Sequence, residues 1–517
     1  LKYPERYGIN SDNMRLPDYS PEALGAVYDA EMDRYDELLS FDRSALSADQ
    51  QREYDALAGM MANTIDDEFL LYYNIFTGAI PELPIVLAEY KLYTKDDIGR
   101  YIRLLADMPD MVDGVSEYLH AQVEAGLFMP DSAIDGAVEQ MEQFIYMEPN
   151  ILVTSFEERL DSFPELTAEE REQYIEDNRN AIDQYILPGF QAMIDDLTNL
   201  RGRGSEKLPK MAEYYRQLVR QETGLSEGID EIYAALEQKL AELDAEFEAL
   251  RDNYTDLDDS LDNLNYGDTD PQSILESLRE KINEDFPPLE GVEYAVKELP
   301  VALQDLSYVA FYLSPPIDEA TQNVIYVNDK NSDDSTIFQT MAHEGYPGHL
   351  YQSNYENGRV SPLRAFYGIS SYAVGYSEGW AFYVELLSYD WVSYKETNPE
   401  CAEYLRMNTL VWMVADSLLD IGINYKGWTI EDAIEEMAEY YTAEEIEWFY
   451  PDITQDPGSM IKYAAPYLKI EGLKERAQQA MGDDFNIMEF HKTILDLGLS
   501  NFDLVEEAIN DYIGSTL

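Results

Sequence analysis

Thr340-Met341-Ala342-His343-Glu344-Gly345-Tyr346-Pro347-Gly348-His349-Leu350 is the stretch on which the reading of this chain turns. It holds two of the four histidines in 517 residues, with a glutamate directly after the first. Two neutral imidazoles beside a carboxylate are what a catalytic zinc site requires: nitrogens to hold the ion, and a base to work on its bound water. In the familiar H-E-x-x-H spacing both histidines share one helical face. Here the fourth position is Pro347, and the second histidine falls two residues late. A straight helix turning about 100° per residue would aim His349 roughly 120° away from His343. The stretch therefore predicts a broken helix. Pro347 and Gly348 both interrupt regular helix, and Gly348 tolerates backbone angles that could swing His349 back toward a shared ion.

Zinc needs a third protein ligand and one open position. Downstream lies Tyr376-Ser377-Glu378-Gly379-Trp380-Ala381-Phe382-Tyr383-Val384-Glu385. Glu378 and Glu385 are seven apart, so on a helix they share a face. A carboxylate among apolar and aromatic neighbours is costly without a partner, and a metal is the obvious one. The reading favours Glu378 as ligand and Glu385 as a supporting or structural carboxylate. Gly375 and Gly379 predict that this helix packs close to the His343 helix. The plain alternative makes both acids partners of buried hydroxyls or bases.

Upstream of the motif, Val292–Leu299, Tyr308–Leu313 and Val324–Asn328 are short runs rich in Val, Tyr, Phe and Ile. They read as a small sheet, with an edge strand just before the metal helix to which an extended peptide could add. Asp333, Asp334 and Ser335 can cap a helix starting near Thr336. From about Pro21 to Arg251 the pattern is helical, most clearly in the stripe Ile232, Leu236, Leu240, Leu243, Phe247 and Leu250. Gly78 to Pro84, Pro130 and Pro188 suit turns between antiparallel helices. The acidic, Asn-rich stretch from Asp252 to Gln272 reads as a surface loop. Asp256, Asp258, Ser260 and Asp262 resemble the start of a calcium loop but lack its glycine and its closing glutamate. Helices are expected again from Ser371 to Tyr389, from Glu400 to Tyr425 and at intervals to Ile513. The expected fold is mainly α with a small β-sheet beside the active site, divided into an N-terminal helical lobe (1–270) and a catalytic lobe (271–517).

Charge excludes some partners. With 103 acids against 35 bases and a net charge of -68, phosphate backbones would be repelled, which argues against nucleic acid. The acidity reads as a solvated surface, of a secreted protein or of one from a salty habitat. No run of about 18 apolar residues marks a membrane span. The single Cys401 excludes an internal disulfide framework and a cysteine zinc cluster. A chain starting at Leu1 points to a removed leader or a trimmed start. The expected location is extracellular or at the cell surface, with the cytoplasm as the alternative.

His343-Glu344-Gly345-Tyr346-Pro347-Gly348-His349 followed by Glu378-Gly379-Trp380 resembles the bacterial family known as domain of unknown function 885, grouped with gluzincin-type zinc metallopeptidases. The resemblance continues at Asp420–Trp428, at Pro457-Gly458-Ser459-Met460-Ile461-Lys462-Tyr463, at Ile470–Ala477 and at Phe490-His491. It covers most of the second half, with a weaker helical match before residue 250. Asn424, Ser459 and Pro466 depart from its pattern, so no role is carried to them. The resemblance implies a mostly helical peptidase with a central cleft.

On this reading His343, His349 and Glu378 hold one Zn²⁺ and Glu344 is the general base. The resemblance adds Tyr463 as donor to the oxyanion, with a plain packing tyrosine as the alternative. Arg406 is a candidate for a substrate carboxylate, whereas His491 and His120 read as structural. The expected function is hydrolysis of short or unfolded peptides. A metal-dependent amidase and a non-catalytic surface binding protein are the rivals.

Overall fold

Ile232, Leu236, Leu240 and Leu243 do what their spacing requires and form the buried side of a helix, Ile229–Asn253 (α1). The computed structural model describes residues 2–205, 207–299, 304, 309–319, 321–328, 330–331, 333–369 and 372–516. These residues are mainly helical, with one three-stranded sheet. No helix among them is long and apolar enough to cross a membrane.

The chain forms two compact units. The first comprises Leu1–Arg34 and Asp66–Tyr214; the second comprises Tyr35–Ile65, Tyr215–Leu299 and Gln304–Leu517. These bounds differ from the division expected at residue 270. The apolar stripe of α1 is buried in the same core as the residues around the histidine motif, so α1 belongs with them. The 252–272 stretch is not one loop either, since Leu257–Asp262 is a short helix anchored by buried Leu257.

The first unit has its own helical core. Pro130 precedes helix Asp131–Ile145 as a turn residue should, but of the turn expected from Gly78 to Pro84 only Gly78 lies outside a helix, since Ala79–Ala88 is helical with Pro84 inside it. The turn expected at Pro188 is absent. A π-turn at Ile182–Ile186 runs into Leu187–Asn199, and Pro188 falls in the first turn of that helix, where a missing N–H is tolerated.

In the second unit α1 is followed by Pro271–Lys281 (α2), Tyr294–Glu298 (β1), Ala310–Leu313 (β2), Asn323–Val327 (β3), Ile337–Glu344 (α3) and His349–Glu356 (α4). Val374–Ser388 (α5), Pro399–Ile421 (α6), Ile461–Met481 (α7) and Ile487–Leu497 (α8) come later. The first two expected strands are present but shorter, and the third has its expected length one residue earlier. Tyr308 and Ser371, the expected starts of the second strand and of α5, lie outside the described residues. The sheet order is β1-β3-β2, with β1 parallel and β2 antiparallel to β3. The strand before the metal-motif helix is thus the central one, not an edge. Its five residues are all buried, as a continuous apolar run requires.

Candidate metal centre

The break in the histidine helix is a reversal. Helix α3 stops at Glu344, where the Gly345 N–H donates to Met341 O. The Tyr346–Pro347 peptide is cis. The chain then folds back over the end of α3, and the Gly348 N–H donates to Ala342 O at 2.9 Å. A side chain at 348 would collide with the His343 carbonyl, so only glycine fits this crossing. Helix α4 begins at once with His349. The Trp380 indole N–H donates to Pro347 O at 2.9 Å and pins the loop. The two imidazoles end 4.8 Å apart between centroids and nearly perpendicular, at 81°.

Helix α5 supplies the acid. His343 Nε2 and His349 Nε2 lie 3.5 Å and 3.4 Å from the same oxygen, Glu378 Oε2. Charged hydrogen bonds would be shorter, about 2.7–2.9 Å. The observed separations match instead the edge of a tetrahedron whose centre-to-ligand bonds are about 2.1 Å, a length of about 3.4 Å. One donor atom from each residue lies within 4.8 Å of the other two. The donor set therefore fits a small divalent cation. One helical turn pair further along α5, Glu385 Oε2 sits 2.9 Å from His343 Nδ1. A single helix thus places carboxylates at both nitrogens of one ring.

The surrounding groups follow from the same elements. Glu344 Oε2 accepts the backbone N–H of Tyr312 in β2, at 2.8 Å. The Tyr312 hydroxyl donates to Asn323 Oδ1 at 2.6 Å, and Asn354 on α4 donates to that oxygen at 2.9 Å, joining the sheet to the His349 helix. Tyr463, in the first turn of α7, brings its ring to 6.4 Å from that of His343. Buried Asp420 anchors the loop leading into α7, accepting N–H groups of Gly458 and Met460 at 3.1 and 3.3 Å and the Asn424 amide at 2.9 Å. Helix α5 packs on α3 as the sequence suggested, but its glycines serve other contacts: Gly375 faces the Thr223 backbone and Pro466 of α7, and Gly379 faces Pro466.

Burial works against every charge here, yet for two groups the neighbouring charges outweigh it. For Glu378 it is outweighed by His349 and His343, which hold its carboxyl well below the ordinary range. For His343 it is outweighed by Glu378 and Glu385, which raise the imidazole well above its ordinary value. Glu344 is different: burial raises its carboxyl, and the two histidines only partly offset that.

The remaining candidates lie elsewhere. Arg406 is engaged by Glu403 on its own helix at 2.5 Å. His120 is exposed in the first unit. His491 is fully buried, bonded to the Tyr383 hydroxyl at 2.9 Å and to Asp285 O at 2.7 Å, and stacked on Phe286 at 4.1 Å. Burial lowers its pKa to about 3. Below about pH 6.5 the unfolded chain therefore binds a proton that the folded one refuses, and stability falls as pH falls. We expect this residue to remove about 1.4 kcal/mol per pH unit between about 6.5 and its folded value. Chemical denaturation of wild type and His491→Phe at pH 7 and pH 5 checks it, the difference between the two proteins shrinking at the lower pH.

Three contributors escaped the sequence reading: Tyr312, Trp380 and Asp420. The E-G-W triplet contained Trp380, but the indole was given no role there.

A mainly helical chain with a three-stranded sheet beside a cluster of two histidines and a glutamate is the class that fold and site define. The chain belongs to the family described as "Bacterial protein of unknown function (DUF885)", whose model matches residues 4–509. No curated protein matches it. Among solved structures it is similar to a "putative lipoprotein" from Colwellia psychrerythraea, with a TM-score of 0.85 at 19% identity over 99% of this chain and 94% of that one. It is also similar to a "putative lipoprotein of unknown function" from Shewanella oneidensis, with a TM-score of 0.65 at 16% identity over 99% and 96%. At these identities the likeness is one of fold.

Proposed function

We propose that this chain is a gluzincin-type, zinc-dependent metallopeptidase that hydrolyses short or unfolded peptides. The observation that carries the reading is the pair of imidazole nitrogens set at 3.5 and 3.4 Å from one Glu378 oxygen, with Glu344 beside them and bonded to no metal-ligand side chain. His343, His349 and Glu378 would hold one Zn²⁺, which when bound supplies Lewis acidity to a water and to the scissile carbonyl. Glu344 takes the proton from the attacking water and returns it to the leaving amine. Tyr463 donates its hydroxyl to the developing oxyanion. Glu385 accepts the Nδ1 proton of His343, which fixes the tautomer that leaves the Nε2 lone pair free for the ion. The lipoprotein descriptions of the two similar structures support an extracellular or cell-surface location.

Metal analysis of protein purified without chelators tests the reading. Wild type is expected to carry one zinc per chain and His343→Ala none, because two donors rarely retain what three hold. A wild type without metal would favour a surface binding protein. A zinc-loaded protein that spares peptides but turns over non-peptide amides would favour an amidase.

A further inference from the structure

A pocket of 350 Å³ opens beside the donor cluster, with His349 and Glu378 in its wall. This is enough space for a substrate side chain, since ligand pockets run from about 300 Å³ upward. Helix α4 carries His349, Gln352 and Glu356 at positions i, i+3 and i+7, one face of one helix, and all three line the pocket. At about 1.5 Å of rise per residue, about 10 Å of helix separates the histidine from the glutamate.

Two polar side chains, Gln352 and Glu356, stand further along this helix face from the donor cluster. Both side chains meet the Tyr376 hydroxyl, which is itself committed to Ile494 O at 2.9 Å, and one oxygen of the carboxylate, Glu356 Oε1, is buried without a hydrogen-bond partner among the described residues, beside a Gln352 that is 3% exposed. Leaving such an atom unsatisfied costs about 1–3 kcal/mol, so a ligand that bonds it recovers that energy. The neighbouring Arg364 is committed elsewhere: its guanidinium donates to Leu499 O at 2.6 Å, to Leu497 O and to Glu53 at 3.3 Å. Burial pushes the Glu356 carboxyl up to about 7, although Arg364, the Tyr376 hydroxyl and the Leu499 amide favour its charged form. Its nearby cation, Arg364, is bonded to other groups, so a ligand cation that reaches Glu356 Oε1 would be stabilised there. A half-turn of the Gln352 amide exchanges its nitrogen for its oxygen, so this side chain can accept from the same cation. Between the two ends, Pro315, Ile317 and Val360 offer apolar wall to methylene groups.

We propose that this pocket selects peptides with a lysine or arginine beside the scissile bond, Glu356 receiving the cationic tip and Gln352 sharing it. The assignment rests on the metallopeptidase reading for the word "scissile". The length agrees: a four-carbon stem reaches about 6 Å, and the rest of the span is the peptide carbonyl at the donor cluster.

Two measurements test it on the full chain. In the first, zinc-loaded wild type is given matched peptides differing only in lysine, arginine, norleucine, glutamine or glutamate at one position. Lysine and arginine are expected to raise kcat/KM at least about tenfold over norleucine, the value of one charge-assisted hydrogen bond, and Glu356→Gln to bring that ratio toward one. In the second, Nα-acetyl-lysine methylamide and its norleucine counterpart are titrated by calorimetry, with no turnover required, and the lysine compound is expected to bind more tightly. Hydrolysis without basic preference overturns the pocket assignment, as does a preference that Glu356→Gln leaves intact or one for glutamine over lysine. Lysine-selective binding without hydrolysis of any peptide upholds the pocket and overturns the peptidase reading instead.

Discussion

Glu344→Gln is expected to keep one zinc per chain and to hydrolyse peptides at least about 100-fold more slowly than wild type, the usual value of a general base. The substitution preserves shape. An amide oxygen can still accept the Tyr312 N–H that holds Glu344 in place, so β2 and α3 keep their contact. What the amide cannot do is take up a proton. Metal content and initial rates, measured on one preparation, check both halves of this expectation. Retained hydrolysis would remove Glu344 from the mechanism; lost zinc would recast it as part of the metal-holding set.

Gly348→Ala is expected to be the most damaging small substitution in the chain. The added methyl group would overlap the carbonyl of His343 and crowd that of Ala342. Both obstacles are backbone, so no side chain can swing aside. Relief requires the reversal to open, which carries His349 away from Glu378. Zinc is expected to be lost and stability to fall by on the order of 3 kcal/mol, the upper range for overpacking. Gly472→Ala is the control, because a methyl group there meets no atom within 4 Å and lies inside helix α7. It should leave metal content unchanged and raise stability by about 0.5–1 kcal/mol. Inductively coupled plasma analysis and denaturation curves on the two variants separate the outcomes.

What the sequence reveals about this protein depends on where each signal resides. The reversal between His343 and His349 was legible because proline and glycine are themselves backbone instructions, and the wrong helical angle demanded a break. The seven-residue spacing of Glu378 and Glu385 was legible for the same reason, since helical periodicity is local. Tyr312 was not, because its contribution is a main-chain N–H that any residue but proline supplies. Asp420 was hidden differently: its partners, Gly458 and Met460, lie almost forty positions away and are again backbone groups. Glycines 375 and 379 announced a close approach without naming its targets, which are the Thr223 backbone and Pro466. The unit boundary was the hardest to see. Tyr35–Ile65 belongs to the second unit although about 150 residues of the first follow it in the chain, and helical texture is the same on both sides.

The contact of Gly379 with Pro466 bears on how the centre tolerates change. Glu378 immediately precedes that glycine, and Tyr463 lies three residues before that proline. The acid and the hydroxyl are therefore mounted on two helices that meet where a Cβ on Gly379 would strike Pro466. Alterations to packing elsewhere in the core can tilt the pair only as one piece. The spacing of these two helices is thus set at Gly379, where any larger residue would meet Pro466.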